Sequence, residues 1–324
     1  MRLEKTRRRK WTWTQHRLEQ GNQVIHVVNE LRDFWPLTLR QIYYRLVAAG
    51  YLENTRSKYN DLSNLIKHMR LDEWLRWEVL EDRVRRVSAK RGWEDHMEFF
   101  EAHVESFLEG YERCYVQNQK CYVEIWTEKD ALSQVFEKVA YPYCIRAVTC
   151  RGYQSITFLD SFRRRARAAM ERGQKPVILY FGDLDPSGWQ MLEAIKQTLE
   201  DDMGLWGVEY QRVALTPDQI MSYGLPHDPQ AVKITDRRYR NYVERFGDLA
   251  VELDALHPQV LRELAVEAIE SQLDMDLFLE QIEVEQVERE RLAFMKQKIL
   301  TELRGLTSQT QPRDFEGFGD PDTP

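Results

Sequence analysis

A helical front part joined to an α/β domain on a parallel sheet is the fold class this sequence predicts, and three observations carry it. Residues 20 to 70 show mainly helical apolar spacing, whereas from Cys121 onward short β-forming runs alternate with amphipathic ones. That alternation is the mark of a parallel sheet covered on both faces. Pro176 to Phe181 is a β-forming run that stops at Gly182, and Asp183-Leu184-Asp185-Pro186-Ser187-Gly188 then opens a further helical pattern. Ligands of open α/β sheets gather beyond such strand ends. Charge is also divided: residues 1–90 hold 19 Lys and Arg against 11 Asp and Glu, the remainder 27 against 42, for a net −7. A basic front suggests a nucleic-acid surface, and an acidic remainder leaves carboxylates for a metal.

The chain opens on Arg7-Arg8-Arg9-Lys10, followed by Trp11 and Trp13. This arm, residues 1–19, could follow a phosphate backbone, its tryptophans packing on the body or on nucleic acid; a frayed basic terminus is the alternative. A first helix is predicted over Gln20 to Phe34. The second starts at a capping box, Thr38-x-x-Gln41, and stops at Gly50. Its positions Leu39, Ile42, Tyr43, Leu46 and Val47 form the inward face, which leaves Arg40, Tyr44 and Ala48 on another. Two adjacent tyrosines thereby receive different roles. An outward Tyr44 one turn from Arg40 suits a phosphodiester, the cation holding phosphate and favouring phenolate, although a surface tyrosine at a domain contact fits equally.

A third helix is predicted over Ser57 to Arg70, with Tyr59, Leu62, Ile66 and Met69 inward and Lys58, Lys67 and Arg70 elsewhere. Trp77 to Glu81 reads as a strand, with Arg83, Arg85 and Arg86 after it. Three helices and a hairpin-like basic segment outline a winged-helix DNA-binding domain over residues 20–90. A helical connector occupies 91–117. An α/β domain with a helical C-terminal extension covers 118–306, and a polar, acidic tail predicted to be disordered covers 307–324.

Within the α/β domain, strands are expected at Cys121 to Thr127, Ile145 to Thr149, Pro176 to Phe181 and near Val208 to Val213. Helices are expected at Lys129 to Val139 and Ser155 to Met170, and after Pro186. Glu128 and Asp183 then both lie at carboxyl ends of parallel strands, where Glu128, Asp183 and Asp185 could converge on one or two cations. Oxygen ligands without His or Cys favour Mg²⁺, or Mn²⁺, over zinc. Glu124, further back in the first strand, competes for the same role. The simpler reading of Asp185 is a helix cap with Pro186 in the first position.

The four cysteines form no CxxC pair or zinc spacing. No run approaches the ~18 apolar residues of a membrane span, and no signal-peptide pattern opens the chain. A cytoplasmic, nucleoid-associated protein without membrane contact is expected.

Three motifs together resemble the topoisomerase VI A subunit and the meiotic double-strand-break transesterase, in the form of a compact bacterial or phage member. Arg40-Gln41-Ile42-Tyr43-Tyr44 is similar to the family's Arg-x-Ile-Tyr-Tyr. Thr127-Glu128-Lys129-Asp130-Ala131 is similar to the Val-Glu-Lys-Asp-Ala that opens its Toprim domain, and Asp183-Leu184-Asp185-Pro186-Ser187-Gly188 to its Asp-x-Asp-Pro-x-Gly. The likeness covers roughly residues 20 to 215, and the stretch through Glu252-Leu253-Asp254-Ala255-Leu256 follows it with less specific motifs. It implies a Toprim domain after the winged helix, with Tyr44 as nucleophile, Arg40 and Glu128 assisting, and Mg²⁺ on Glu128, Asp183 and Asp185. Double-stranded DNA would meet Arg40, Lys58, Lys67, Arg70, Arg85 and Lys129. It also implies a homodimer in which one protomer's tyrosine works with the other's metal. No glycine is followed by lysine, so no ATP-binding Walker loop is present; ATP-driven strand passage would need a separate B-type ATPase subunit. The competing functions are a hydrolytic Toprim endonuclease of a defence or mobile-element system, and a non-catalytic DNA-binding scaffold.

Overall fold

Threonine caps decide where the front helices begin. Thr14, Thr38 and Thr55 each accept a backbone N–H three residues on, at the starts of α1 (Gln15–Glu30), α2 (Leu39–Ala48) and α3 (Arg56–Leu71), each cap contributing about 1 kcal/mol. The computed structural model describes residues 11–80, 92–150, 155–226 and 239–307. The remaining elements are α4 (His96–Glu105), β1 (Cys121–Thr127), α5 (Ser133–Ala140), β2 (Arg146–Thr149), α6 (Ile156–Glu171), β3 (Lys175–Phe181), α7 (Pro186–Gln197), β4 (Glu209–Ala214), α8 (Pro217–Tyr223), α9 (Tyr239–Phe246), α10 (Pro258–Glu270) and α11 (Met275–Thr307). The chain divides into two units, one from residues 1–86 and 116–275, the other from 87–115 and 276–324.

In the first unit, the apolar stripes of α1 to α3 merge into one core: Val24, Val28 and Leu31 meet Ile42, Tyr43 and Leu46, and Leu62, Ile66 and Met69 close it. Of the strand expected at Trp77 to Glu81, Glu81 lies outside the described residues, and the described ones form a 3₁₀ turn, Trp77–Val79, and a bridge from Leu80 to Leu37. The reason is local. Arg70 donates to the carbonyls of Trp77 and Leu80 and lies over the Trp77 ring, while Arg76 pairs with Glu78 two residues away. These contacts curl the segment, and Leu37 offers one bridge rather than a ladder. The arm's tryptophans pack on the body: Trp11 stacks on His68, and Trp13 stacks on Trp74 and donates to Asp72.

The sheet is all parallel, in the order β2-β1-β3-β4, so the α/β expectation and all four predicted strands hold to within a residue or two. The expected helix at Lys129 to Val139 begins later, at Ser133, after a 3₁₀ turn over Asp130–Leu132. The order places β2 on one side of β1 and β3 on the other. The direction in which successive strands are added therefore reverses between β1 and β3, a switch point of the kind that opens a crevice at the carboxyl ends of the strands.

Glu124 does not reach that crevice. It is fully buried within β1, accepting hydrogen bonds from Tyr122, Trp126 and Arg165 of α6. Its two oxygens are satisfied under the sheet, so it holds α6 in place and is no cation ligand.

In the second unit, α11 carries Gln281, Glu285 and Glu288, which fix Arg113; Glu288 also accepts from Tyr111, and Tyr115 packs on Phe278. Among the described residues no helix is long and apolar enough to cross a membrane.

Candidate active site

The reciprocal bonds of the capping box fix the start of α2: Thr38 N–H donates to Gln41 Oε1, and Gln41 N–H to Thr38 Oγ1. With the helix phase set, Tyr43 points inward. It is 3% exposed, and its hydroxyl meets the Glu53–Thr55 loop. Tyr44 is the less buried of the two and lines a cleft of about 470 Å³ with Arg40, Arg56, Tyr59, Asn60 and Glu252, Tyr43 also bordering it. It is half-buried, its ring edge-on to Tyr43 at 5.2 Å.

The second half of the site stands at the switch point of the sheet. Thr127 and Phe181 are register partners, and Glu128 N–H donates to the Phe181 carbonyl. Glu128 and Asp183 therefore follow paired strands at the same edge. Glu128 Oε2 is buried and accepts no hydrogen bond. Burial, with Asp183 and Asp185 nearby, pushes the Glu128 carboxyl up to about 7, although Lys129 pulls the other way. Asp183 is 6% exposed. One of its oxygens accepts from Leu253 N–H and the other meets the Lys129 ammonium at 2.8 Å. Asp185 caps α7, accepting from Gly188 N–H, with Pro186 in the first position. The capping reading of Asp185 is thus realised.

A second acidic pair joins these residues. Leu184 and Val251 exchange both backbone hydrogen bonds as an antiparallel bridge, which delivers Glu252 and Asp254 to the cluster. Lys129 Nζ lies 3.2 Å from Glu252 and 3.7 Å from Asp254. Arg40 reaches the same pair from α2, at 2.7 Å and 3.9 Å. Asp254 is 2% exposed and neither carboxylate oxygen accepts a hydrogen bond; burial raises its carboxyl to about 6. Arg212 braces the loop from behind. It donates to the Asp183 and Gly188 carbonyls, and its guanidinium lies over the Tyr180 and Trp189 rings.

The chain matches none of the known family models, curated proteins or solved structures with which it was compared. What the site can do therefore rests on its own chemistry.

That chemistry departs from expectation in one respect. Arg40 was expected to favour the Tyr44 phenolate. Burial and the neighbouring Glu252 and Asp254 outweigh it and push the phenol well above its ordinary range. As regards a divalent cation, no ready-made group of three His, Cys, Asp or Glu ligands is present among the described residues. The donor chemistry fits a hard cation nonetheless, because the ligands at hand are carboxylates. Glu128 Oε2 is a buried acceptor with nothing bound to it, and Lys129 supplies positive charge to the same cluster.

The DNA-contact candidates are distributed unevenly. Lys67 is exposed and Lys58 half-exposed on α3, while Arg70 is engaged with Trp77 and Leu80. Lys129 is sequestered among carboxylates, and Arg85 lies outside the described residues. Sequence reasoning missed the parts played by Glu252, Asp254 and Arg212. A signal for the first two was present: Glu252-Leu253-Asp254 repeats the acid–Leu–acid spacing of Asp183-Leu184-Asp185.

Proposed function

We propose that this chain cleaves double-stranded DNA by transesterification, with Tyr44 as nucleophile, in the manner of a type IIB topoisomerase A subunit. The observation that carries the reading is the chain of ion pairs from α2 to the sheet edge: Arg40, one turn from Tyr44, binds Glu252, Glu252 binds Lys129, and Lys129 binds Asp183. A tyrosine, an arginine and the acidic edge of a parallel sheet thus belong to one unit of one chain, whereas the resemblance implies that the tyrosine works with the metal of a second copy. In the reaction, Tyr44 Oη attacks a backbone phosphorus and the deoxyribose oxygen leaves. Arg40 exchanges its carboxylate partner for the phosphate and stabilises charge on the non-bridging oxygens. Glu128, Asp183 and Asp185 would hold Mg²⁺, which when bound supplies Lewis-acid charge to the phosphate. The front helices carry the duplex as a winged-helix domain, the sheet serves as a Toprim domain, and two copies supply the two cuts. A separate B-type ATPase would be needed to couple these cuts to strand passage.

The raised Tyr44 phenol favours a second reading, a hydrolytic Toprim nuclease in which water replaces the phenol. One experiment separates the two. Supercoiled DNA is incubated with the protein and Mg²⁺, quenched with denaturant and resolved on a denaturing gel. Transesterification predicts a covalent protein–DNA adduct that is lost, together with cleavage, in Tyr44→Phe. Cleavage that persists in Tyr44→Phe without an adduct establishes hydrolysis instead.

A further inference from the structure

A phenol that attacks phosphorus must lose its proton, and the surroundings of Tyr44 leave few groups able to take it. Arg40 and Arg56 in the cleft are cations and cannot accept, while Tyr59 and Asn60 are poor bases. Glu252 is the carboxylate that lines the same cleft as Tyr44, and it is ion-paired at 2.7 Å with Arg40, one helical turn from Tyr44. Its position is determined from three sides. The Leu184–Val251 bridge fixes the backbone before it, Leu253 N–H is bound to Asp183 after it, and Arg40 and Lys129 both hold its Oε2. A side chain held in this way on a rigid segment has the geometry required of a proton acceptor.

We infer that Glu252 is the catalytic base that takes the Tyr44 proton; this rests on the transesterification reading. The ion pair with Arg40 explains the timing. With Arg40 bound, Glu252 Oε2 is engaged by the guanidinium as well as by Lys129. When a DNA phosphate takes over the guanidinium, the carboxylate keeps Lys129 but loses Arg40, which leaves it open to the phenol proton in the shared cleft. The Tyr44 O–H bond then breaks with its proton passing to Glu252, the Oη–phosphorus bond forms, and the bond from phosphorus to the deoxyribose oxygen breaks. The leaving oxygen takes a proton from solvent water and Glu252 later returns its own to solvent, so protons and charge balance.

The test measures the rate of adduct formation in the full-length protein with Mg²⁺ and supercoiled DNA. Glu252→Gln keeps the shape and the acceptor for Arg40 but removes the base, and should slow the adduct by about 10²- to 10⁴-fold. Glu252→Asp should retain more of the rate. Incorporating a more acidic, ring-fluorinated tyrosine at position 44 should shrink the ratio between the unsubstituted and Glu252→Gln rates, which a merely structural role for Glu252 would not produce. An unchanged rate in Glu252→Gln, or a ratio that the fluorinated tyrosine does not shrink, overturns the inference while the adduct of the unsubstituted protein keeps transesterification standing. Absence of an adduct in the unsubstituted protein removes that reading, and the inference with it.

Discussion

Replacing Lys129 by Met removes one ammonium from the neighbourhood of three carboxylates. Its Nζ lies 2.8 Å from Asp183, 3.2 Å from Glu252 and 3.7 Å from Asp254, and Asp183 and Asp254 are almost completely buried. Breaking a buried ion pair by deleting one partner costs about 3–5 kcal/mol, since an uncompensated charge is left inside. Methionine preserves most of the aliphatic stem, and Arg40 still faces Glu252 and Asp254. A loss of about 3 kcal/mol near pH 8 is therefore expected, at the lower end of that range. The pH dependence follows from the carboxyls. Burial first, then like charges, raises Asp254 to about 6 and Glu128 to about 7, and Asp183 is raised as well, with Lys129 opposing the shift in all three. Groups raised on folding add stability that is fully present below their unfolded values and is lost as pH rises through the folded ones. Without Lys129 the folded values climb further, so the deficit of Lys129→Met shrinks on acidification, by about 1.4 kcal/mol per pH unit for each carboxyl that takes up a proton. Urea unfolding of both proteins near pH 8 and near pH 5 measures this. A deficit below about 1 kcal/mol near pH 8, or one that does not shrink near pH 5, would refute Lys129 as the internal counter-ion of the cluster.

Two further outcomes follow from the packing around the site. A Cβ at Gly188 would stand 2.6 Å from the Asp183 carbonyl oxygen, a backbone atom already bound by Arg212. Gly188→Ala should cost about 1–3 kcal/mol in thermal or urea unfolding and displace Asp183, and unchanged stability would show that the loop yields freely. Arg165→Met should cost about 3 kcal/mol, because it strands a fully buried Glu124 with only Tyr122 and Trp126 as donors. Glu124→Gln should cost less in the same assay, since the partly exposed Arg165 can turn to solvent; the reverse ranking would contradict the packing of α6 described above.

The sheet was legible because its strands are short, β-rich and bounded by Gly or charged residues, so periodicity alone located Cys121–Thr127 and its partners. Tyr43 and Tyr44 were likewise separated by helical phase, which the Thr38 capping box anchors. The Trp77 segment misled because β-propensity says nothing about whether a neighbouring strand exists, and Arg70 lies far enough away in sequence to escape local pattern reading. Glu124 looked like a candidate ligand because a buried carboxylate has the same sequence signature whether its oxygens face a crevice or an arginine. Glu252 and Asp254 lie some 70 residues beyond Asp183 and are brought back by one backbone bridge, a pairing that no local rule foretells.

That bridge has a consequence for how the protein is made. A ribosome has released Arg40, Tyr44, Lys129 and Asp183 well before it reaches Val251, so a nascent chain holds these side chains without the segment that grips Arg40 and Lys129. The ion-pair cluster is thereby closed only once Val251 has emerged, and fragments that stop short of it leave Lys129 and Arg40 without Glu252 and Asp254.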